Sequence, residues 1–400
     1  MSDFQAIFDT PLNIHGIWSN KWDYREEKTG VADVQSMWVA DMDFETPQVV
    51  KEAVIQRAQL GIYGYTTVDQ EYHEAVIQWQ QRRHNWEIKD EWIVHMPSVV
   101  CAIQTAVRAL TEKDDYVLVQ PPVYHPFFRL LRQTHRRVLE SPLIDRGDHY
   151  EVDWADFENK LREYHPKIFV LCNPHNPVGK VYTPEELRRF GELSKRYGAI
   201  VISDEIHGDL VRPGITHTPF ASLGETFAQN VITCTAPSKT FNLAGLRLSN
   251  IIIPNPEIRE KIEETRTEAG FPSPNLFSLT AANAAFRGGA EWLDALREYL
   301  AGNRVFAEEY IAKHIEPLHT YRADGTYFLW VDCRALGLDR EQLEQFLLHD
   351  AKIWANQGHI FGEQGAGFVR INLALPRIQL KGALEHLAQA VAGLRTKQTI

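Results

Sequence analysis

The chain has 400 residues, enough for two or three domains at about 100–200 residues each. Its 44% hydrophobic and 24% charged residues are those of a folded globular protein, which excludes fibrous, disordered and disulfide-stapled classes. With 42 Lys+Arg against 53 Asp+Glu the formal net charge is −11, and no basic block offsets it. The electrostatic attraction that nucleic-acid binding needs is missing, so no such partner is expected.

No stretch approaches the ~18–20 apolar residues of a membrane span, and the opening MSDFQAIFDT lacks a cationic start followed by an apolar run. Cys101, Cys172, Cys234 and Cys333 lie far apart, mostly inside apolar runs and without a CxxC pair. They read as small core residues of a reducing compartment, which places the protein in the cytoplasm with no membrane partner.

In chain order, residues 1–46 read as a polar N-terminal arm. Its Trp18, Trp22 and Trp38 imply packing against the smaller domain or a second subunit. A helix is expected over 47–60, with Pro47 in its first turn, and the aromatic-rich GIYGYTT at 61–67 is a loop. A helix over 71–84 precedes the strand WIVHM at 92–96, and Pro97 and Ser98 open another helix toward Leu110. The strands YVLVQ (116–120) and KIFVLC (167–172) flank a helix near 125–134. A Pro-started helix at 184–197 leads into AIVISDE at 199–205, then VITCT at 231–235 and LSNIIIP at 248–254. Strands this continuously apolar suit a mostly parallel sheet covered on both faces, so residues 47–287 form a large α/β domain. Residues 288–400 form a smaller α/β domain, with helices at 290–315 and 340–350, strands YFLWVDC (327–333) and GFVRINLAL (367–375), and a terminal helix.

Four segments stand at strand ends or in the loops after them, where open α/β sheets place ligands. They are CNPHNPVG (172–179), SDEIH (203–207), APSKTFNLAGLR (236–247) and GFVRINLA (367–374). Lys239 follows a strand and a Pro-Ser turn, so its amine can project into a cleft; Asp204 ends an apolar strand, where a carboxylate must find a partner, a helix N-cap being the plain alternative. Together, in this order and spacing, the segments resemble fold-type I pyridoxal-phosphate enzymes, the aspartate aminotransferase-like superfamily, over residues 38–376.

That resemblance implies the cofactor pyridoxal 5′-phosphate (PLP), bound through Lys239 as a Schiff base, and an amino acid as substrate. It gives Asp204 to the pyridine nitrogen, Asn176 to the phenolic oxygen, Tyr124 to the ring face and Arg370 to the substrate's α-carboxylate. His207 joins the cofactor-binding set, and Ala40 the substrate-binding set. The phosphate falls to backbone N–H groups of Ser98, Val99 and Val100, with Ser238 and Arg247. Ala236 stands where many relatives carry a serine, so either Thr235 or Ser238 supplies that contact or it is absent. Asn173 and His175 read as plain turn residues. Tyr65 matches the tyrosine that the family lends to the neighbouring subunit's catalytic site, with Tyr63 competing two residues away, so a homodimer with shared sites is implied.

The segments MWVADMDF (37–44), SDEIHGDLV (203–211) and TPFASL (218–223) resemble the cystathionine β-lyase or cysteine-S-conjugate β-lyase branch of the MalY/PatB type. His207 stands there where most aminotransferases have tyrosine. The branch implies carbon–sulfur β-elimination; an aminotransferase of the same fold is one alternative, and a regulatory binding protein that retains PLP is the non-enzymatic one, since relatives in the branch bind a regulatory protein partner. A metal enzyme is not expected, since the 16 histidines show no HExxH or paired Cys/His spacing.

Overall fold

The computed structural model describes residues 2–399. Seven strands form the main sheet, in the order Ile93–Met96, Ser249–Ile252, Val231–Thr235, Ile200–Asp204, Ile168–Cys172, Tyr116–Val119 and Arg137–Glu140. Neighbours from Val231–Thr235 to Arg137–Glu140 pair in parallel, while Ser249–Ile252 runs antiparallel to both its neighbours. Side chains alternate between the faces as the pleat requires. Leu118, Phe169, Leu171 and Val201 join one core, and Val117, Val119, Ile168, Val170 and Ile202 join another on the opposite face. Helices cover both, which explains why these strands are apolar throughout.

A second sheet of four antiparallel strands follows the order His319–Thr320, Phe328–Asp332, Phe368–Asn372 and Asn356–Gln357. Its core joins Leu329, Val331, Val369 and Ile371 to residues of the long helix Ala290–His314 and the terminal helix Arg377–Thr399. The helix Leu276–Gly288 meets Ala290–His314 at Gly289, where a Cβ would lie 2.6 Å from the Phe241 ring and 2.7 Å from the Ala285 carbonyl. A side chain does not fit there without a shift, and Gly289 alone separates the two helices.

The arm is more structured than its polarity implies. It opens with a helix, Ser2–Asp9, whose Phe8 is fully buried against Phe44, Trp292 and Tyr299. Gln35–Ser36 adds a parallel pairing to Ile353–Trp354, and Trp38 lies on Trp354 with centroids 4.6 Å apart. Trp22 is buried, whereas Trp18 is 86% exposed within the single chain, so the smaller domain does not cover it. The helix expected at 340–350 stops at Gln345 and continues as a π turn, Phe346–Asp350.

Candidate active site

The parallel strands end at one cavity of about 370 Å³, walled by Ala40, Ser98, Tyr124, Asn176, Asp204 and Lys239 among others. Strand register sets its electrostatics. Asp204 lies between Cys172 on one neighbouring strand and Cys234 on the other, two apolar side chains that bring it no positive charge. Its carboxylate accepts one bond, from the Ile206 N–H at 3.2 Å, and among the described residues it has no cation within ion-pair distance. Burial therefore raises its pKa to about 7.

Lys239 stands on the four-residue helix Pro237–Thr240, and its Nζ donates to the Ala40 carbonyl. The Tyr327 hydroxyl donates to the same oxygen at 3.0 Å. Burial, with Arg370 adding repulsion against the pull of Asp41 and Asp204, lowers the amine's pKa to about 8. The Ala40 carbonyl is itself held in place. Asn242, at φ 58°, clamps the backbone of Met42 and Phe44 with its amide, and buried Lys21 pairs with Asp43 at 2.9 Å and Asp41 at 3.4 Å.

Arg370 projects from the central pair of the small sheet. It donates to Asn176 Oδ1 at 2.9 Å, to the Trp38 carbonyl at 2.7 Å and to Asn356 Oδ1 at 2.5 Å, and it lies 3.9 Å from the Phe328 ring centroid. Its Nε has no partner, and no carboxylate pairs with it among the described residues. Burial lowers its pKa to about 10. A buried guanidinium without a counter-charge calls for an anion from outside the chain. Asn176 Oδ1 is taken by Arg370, which leaves its Nδ2 free to donate. His207 is buried edge-on to Tyr327 at 5.6 Å with Nδ1 unpartnered, and burial drives it to the neutral form.

Ser98 caps the helix Val99–Leu110, accepting from the Cys101 N–H at 3.2 Å, so the first N–H groups of that helix face the cavity. Arg247 lines the same end at φ 59°, without a hydrogen bond or ion pair among the described residues. Of the two candidates left by Ala236, Thr235 spends its hydroxyl on the Asn250 carbonyl at 2.8 Å, while Ser238 lines the cavity. His175 bonds the Pro122 carbonyl and the Tyr182 hydroxyl, and Asn173 Oδ1 accepts from the Tyr182 N–H, as turn residues would. The loop turns at Gly179, φ 73°, where a Cβ would lie 2.8 Å from the Gly325 carbonyl.

Tyr65 is fully exposed and does not line this cavity, and Tyr63 is exposed with its hydroxyl on the Ala58 carbonyl. Sequence reasoning missed Arg129 at the cavity wall, Tyr327 and Asn356. Arg129 lies in the first turn and a half of the helix Pro126–Gln133 that follows Tyr124; Asn356 comes from a two-residue edge strand with no pattern of its own.

Residues 33–387 match the family "Aminotransferase class I and II". The chain is 41% identical to cystathionine beta-lyase PatB of Bacillus subtilis (strain 168), over 96% of this chain and all of that one. It is 32% identical to protein MalY of Escherichia coli (strain K12), over 99% of this chain and all of that one. Among solved structures it is similar to cystalysin from Treponema denticola, which contains a pyridoxal 5′-phosphate cofactor, with TM-score 0.94, 35% identity and coverage of 97% and 99% of the two chains. A family match across nearly the whole length, on a cavity built at the strand ends, leads to one conclusion: the chain belongs to the aminotransferase class I and II family.

Proposed function

We propose that the protein is a PLP-dependent carbon–sulfur β-lyase that converts L-cystathionine or a related cysteine S-conjugate to a thiol, pyruvate and ammonia. The observation that carries this is the pair formed by Lys239 and Asp204: an amine and a carboxylate that line one cavity, not ion-paired, each shifted toward neutrality. Similarity to proteins named as cystathionine β-lyases supports the choice of reaction.

The residues present fit the cofactor. Asp204 is an uncompensated buried acceptor for the pyridine nitrogen's proton, and Asn176 Nδ2 is a free donor for the phenolic oxygen. Arg247, Ser238 and the N–H groups of Val99 and Val100 supply charge and donors for the phosphate. Tyr124 and His207 border the space for the ring. When bound, the cofactor supplies an electron sink for the pair left at Cα.

The chain's own groups do the rest. The remaining Arg370 donors hold the substrate's α-carboxylate, which fixes the direction of the Cα–H bond. Lys239, neutral in substantial part near pH 8, takes the Cα proton. The Cβ–S bond then breaks with its electron pair on sulfur, which leaves as the thiol after gaining a proton. The enamine released hydrolyses to pyruvate and ammonia.

The exposed loop residues Leu60, Ile62, Tyr63 and Tyr65 support a homodimer in which Tyr65 reaches the other subunit's cavity. The dispersed, unbridged cysteines support a cytoplasmic location. The test is to incubate the purified protein with L-cystathionine. Equal amounts of pyruvate and thiol released without any keto acid are expected, whereas turnover that requires a keto acid and frees no thiol would overturn the lyase assignment in favour of transamination.

A further inference from the structure

We propose that Asp209 is a positioning residue for Lys239, holding the short helix that carries the lysine at a fixed distance from the loop that carries Asp204 and His207. The proposal rests on the reading of Lys239 as the cofactor's attachment point.

The helix Pro237–Thr240 has little means of holding itself. It is one turn long, and its N-cap is Ala236, which has no side chain to bond the first N–H groups. What restrains it comes from elsewhere in the fold. The Thr240 hydroxyl, one residue beyond Lys239, donates to Asp209 at 2.8 Å. The same carboxylate accepts from the Trp79 indole at 3.2 Å and bonds His84 Nε2 at 3.0 Å. Trp79 also packs on Phe241, the residue after Thr240, with centroids 5.2 Å apart, so the helix Gln70–His84 holds the end of the lysine segment from two directions.

Asp209 is rigid at its other end. The loop from Asp204 closes on itself through Gly208 N–H to the Glu205 carbonyl and Leu210 N–H to the His207 carbonyl, each 2.8 Å. At Gly208 a Cβ would lie 2.9 Å from the His217 ring, which itself bonds Glu205 at 2.9 Å. One loop thus carries the acceptor for the pyridine nitrogen and, five positions on, the anchor of the lysine.

The charges that face Asp209 keep it ionised. Burial alone would raise its pKa, but bonds from His84 and Thr240 and the charge of Arg83 hold it below the usual value. Arg297 lies in the same neighbourhood, paired with Asp294, and the Glu205–His217 pair stands behind the loop. Neither Asp209 nor Thr240 lines the cavity, so the carboxylate acts only through the segment it holds.

The experiment compares Thr240→Val, which replaces the hydroxyl with a methyl of similar size, with Thr240→Ser, which keeps it, in the full-length PLP-loaded protein. Asp209→Asn serves as the second variant. The readouts are the pH midpoint of the absorbance of the cofactor bound to the lysine, kcat and KM for L-cystathionine, and Tm. Loss of one hydrogen bond to a charged group predicts for Thr240→Val a kcat about tenfold lower with little change in KM. The pH midpoint should move by about half a unit or more, and Thr240→Ser should restore both values. Asp209→Asn should move the midpoint in the same direction as Thr240→Val.

A Thr240→Val protein with the wild-type midpoint and kcat overturns the proposal, whatever its Tm; so does a loss that serine does not repair. Borohydride reduction followed by peptide mapping separates the two readings. A pyridoxyl label on a lysine other than Lys239 would end the functional assignment itself, whereas a label on Lys239 with unmoved variants ends only the role of Asp209.

Discussion

Asp204 and Lys239 carry opposite formal charges into one cavity without pairing, and burial moves both toward the uncharged form. For Asp204 this has a consequence for stability. Its folded pKa of about 7 lies above the 3.8 of a free carboxyl, so the folded chain keeps this proton longer than the unfolded chain does. The favourable contribution is complete below 3.8 and is lost as the pH rises to about 7. Asp204→Asn should therefore stabilise the cofactor-free protein at pH 8, by roughly 2–4 kcal/mol in denaturant unfolding. The same change should lower kcat of the loaded protein by about 10²–10³-fold. An active but destabilised variant would make Asp204 a structural cap. Arg370→Lys keeps a charge but loses the planar fork, and the hydrogen bonds at stake predict a KM about 10–100-fold higher. A KM within twofold of wild type would remove Arg370 from carboxylate binding. Both residues were legible because a charge inside an apolar run, AIVISD or FVRIN, demands an explanation. The reason Asp204 titrates so high was not, since it depends on strand register, which sets Cys172 and Cys234 beside it.

Elements with strong punctuation were easy to read. Pro47, Ser98 and Pro184 each mark the start of a helix within a residue of its observed first position, and the strands Ile168–Cys172 and Val231–Thr235 coincide with apolar runs. Three helices with such punctuation were nevertheless passed over, Trp154–Tyr164 behind Asp153, Pro256–Glu268 behind Asn255 and Leu276–Gly288 behind Asn275, while other missed elements lacked either signal. The edge strand Arg137–Glu140 is half exposed and carries charge at both ends, and Ser2–Asp9 is a short helix held by Phe8 rather than by propensity. The π turn at Phe346–Asp350 has no sequence mark, because Gln345 and Phe346 are compatible with an uninterrupted helix. Ser98 acts at this scale. Its hydroxyl caps the helix whose open N–H groups face the cavity, so Ser98→Ala should cost about 0.5–2 kcal/mol of stability. It should also weaken PLP affinity, because the first turn of the helix loses its alignment. Fluorescence titration of the cofactor-free variant measures the second effect, and unchanged affinity in a destabilised protein would confine Ser98 to capping.

At the scale of the whole molecule, the cavity takes groups from both sheets and from the N-terminal arm. Asp204 comes from the large sheet, Lys239 from the short helix that follows its strand Val231–Thr235, Arg370 from the small sheet, and the Ala40 carbonyl from the arm. Tyr65 belongs to none of these groups within its own chain. It is fully exposed on a loop that also exposes Leu60, Ile62 and Tyr63, a run of apolar side chains that a lone subunit would leave in water. The proposed two-fold dimer buries this loop and has each Tyr65 reach the opposite cavity. If so, a Lys239→Ala chain and a Tyr65→Phe chain, each nearly inactive alone, should complement one another. In a hybrid dimer one cavity lacks both groups and the other has both, so activity should recover to about half of the wild-type value per hybrid dimer. Differently tagged chains, co-expressed and purified through both tags, isolate the hybrid and remove any dependence on subunit exchange. Verified hybrids without recovered activity would show that Tyr65 serves its own subunit or no site at all, and would return the loop to plain interface packing.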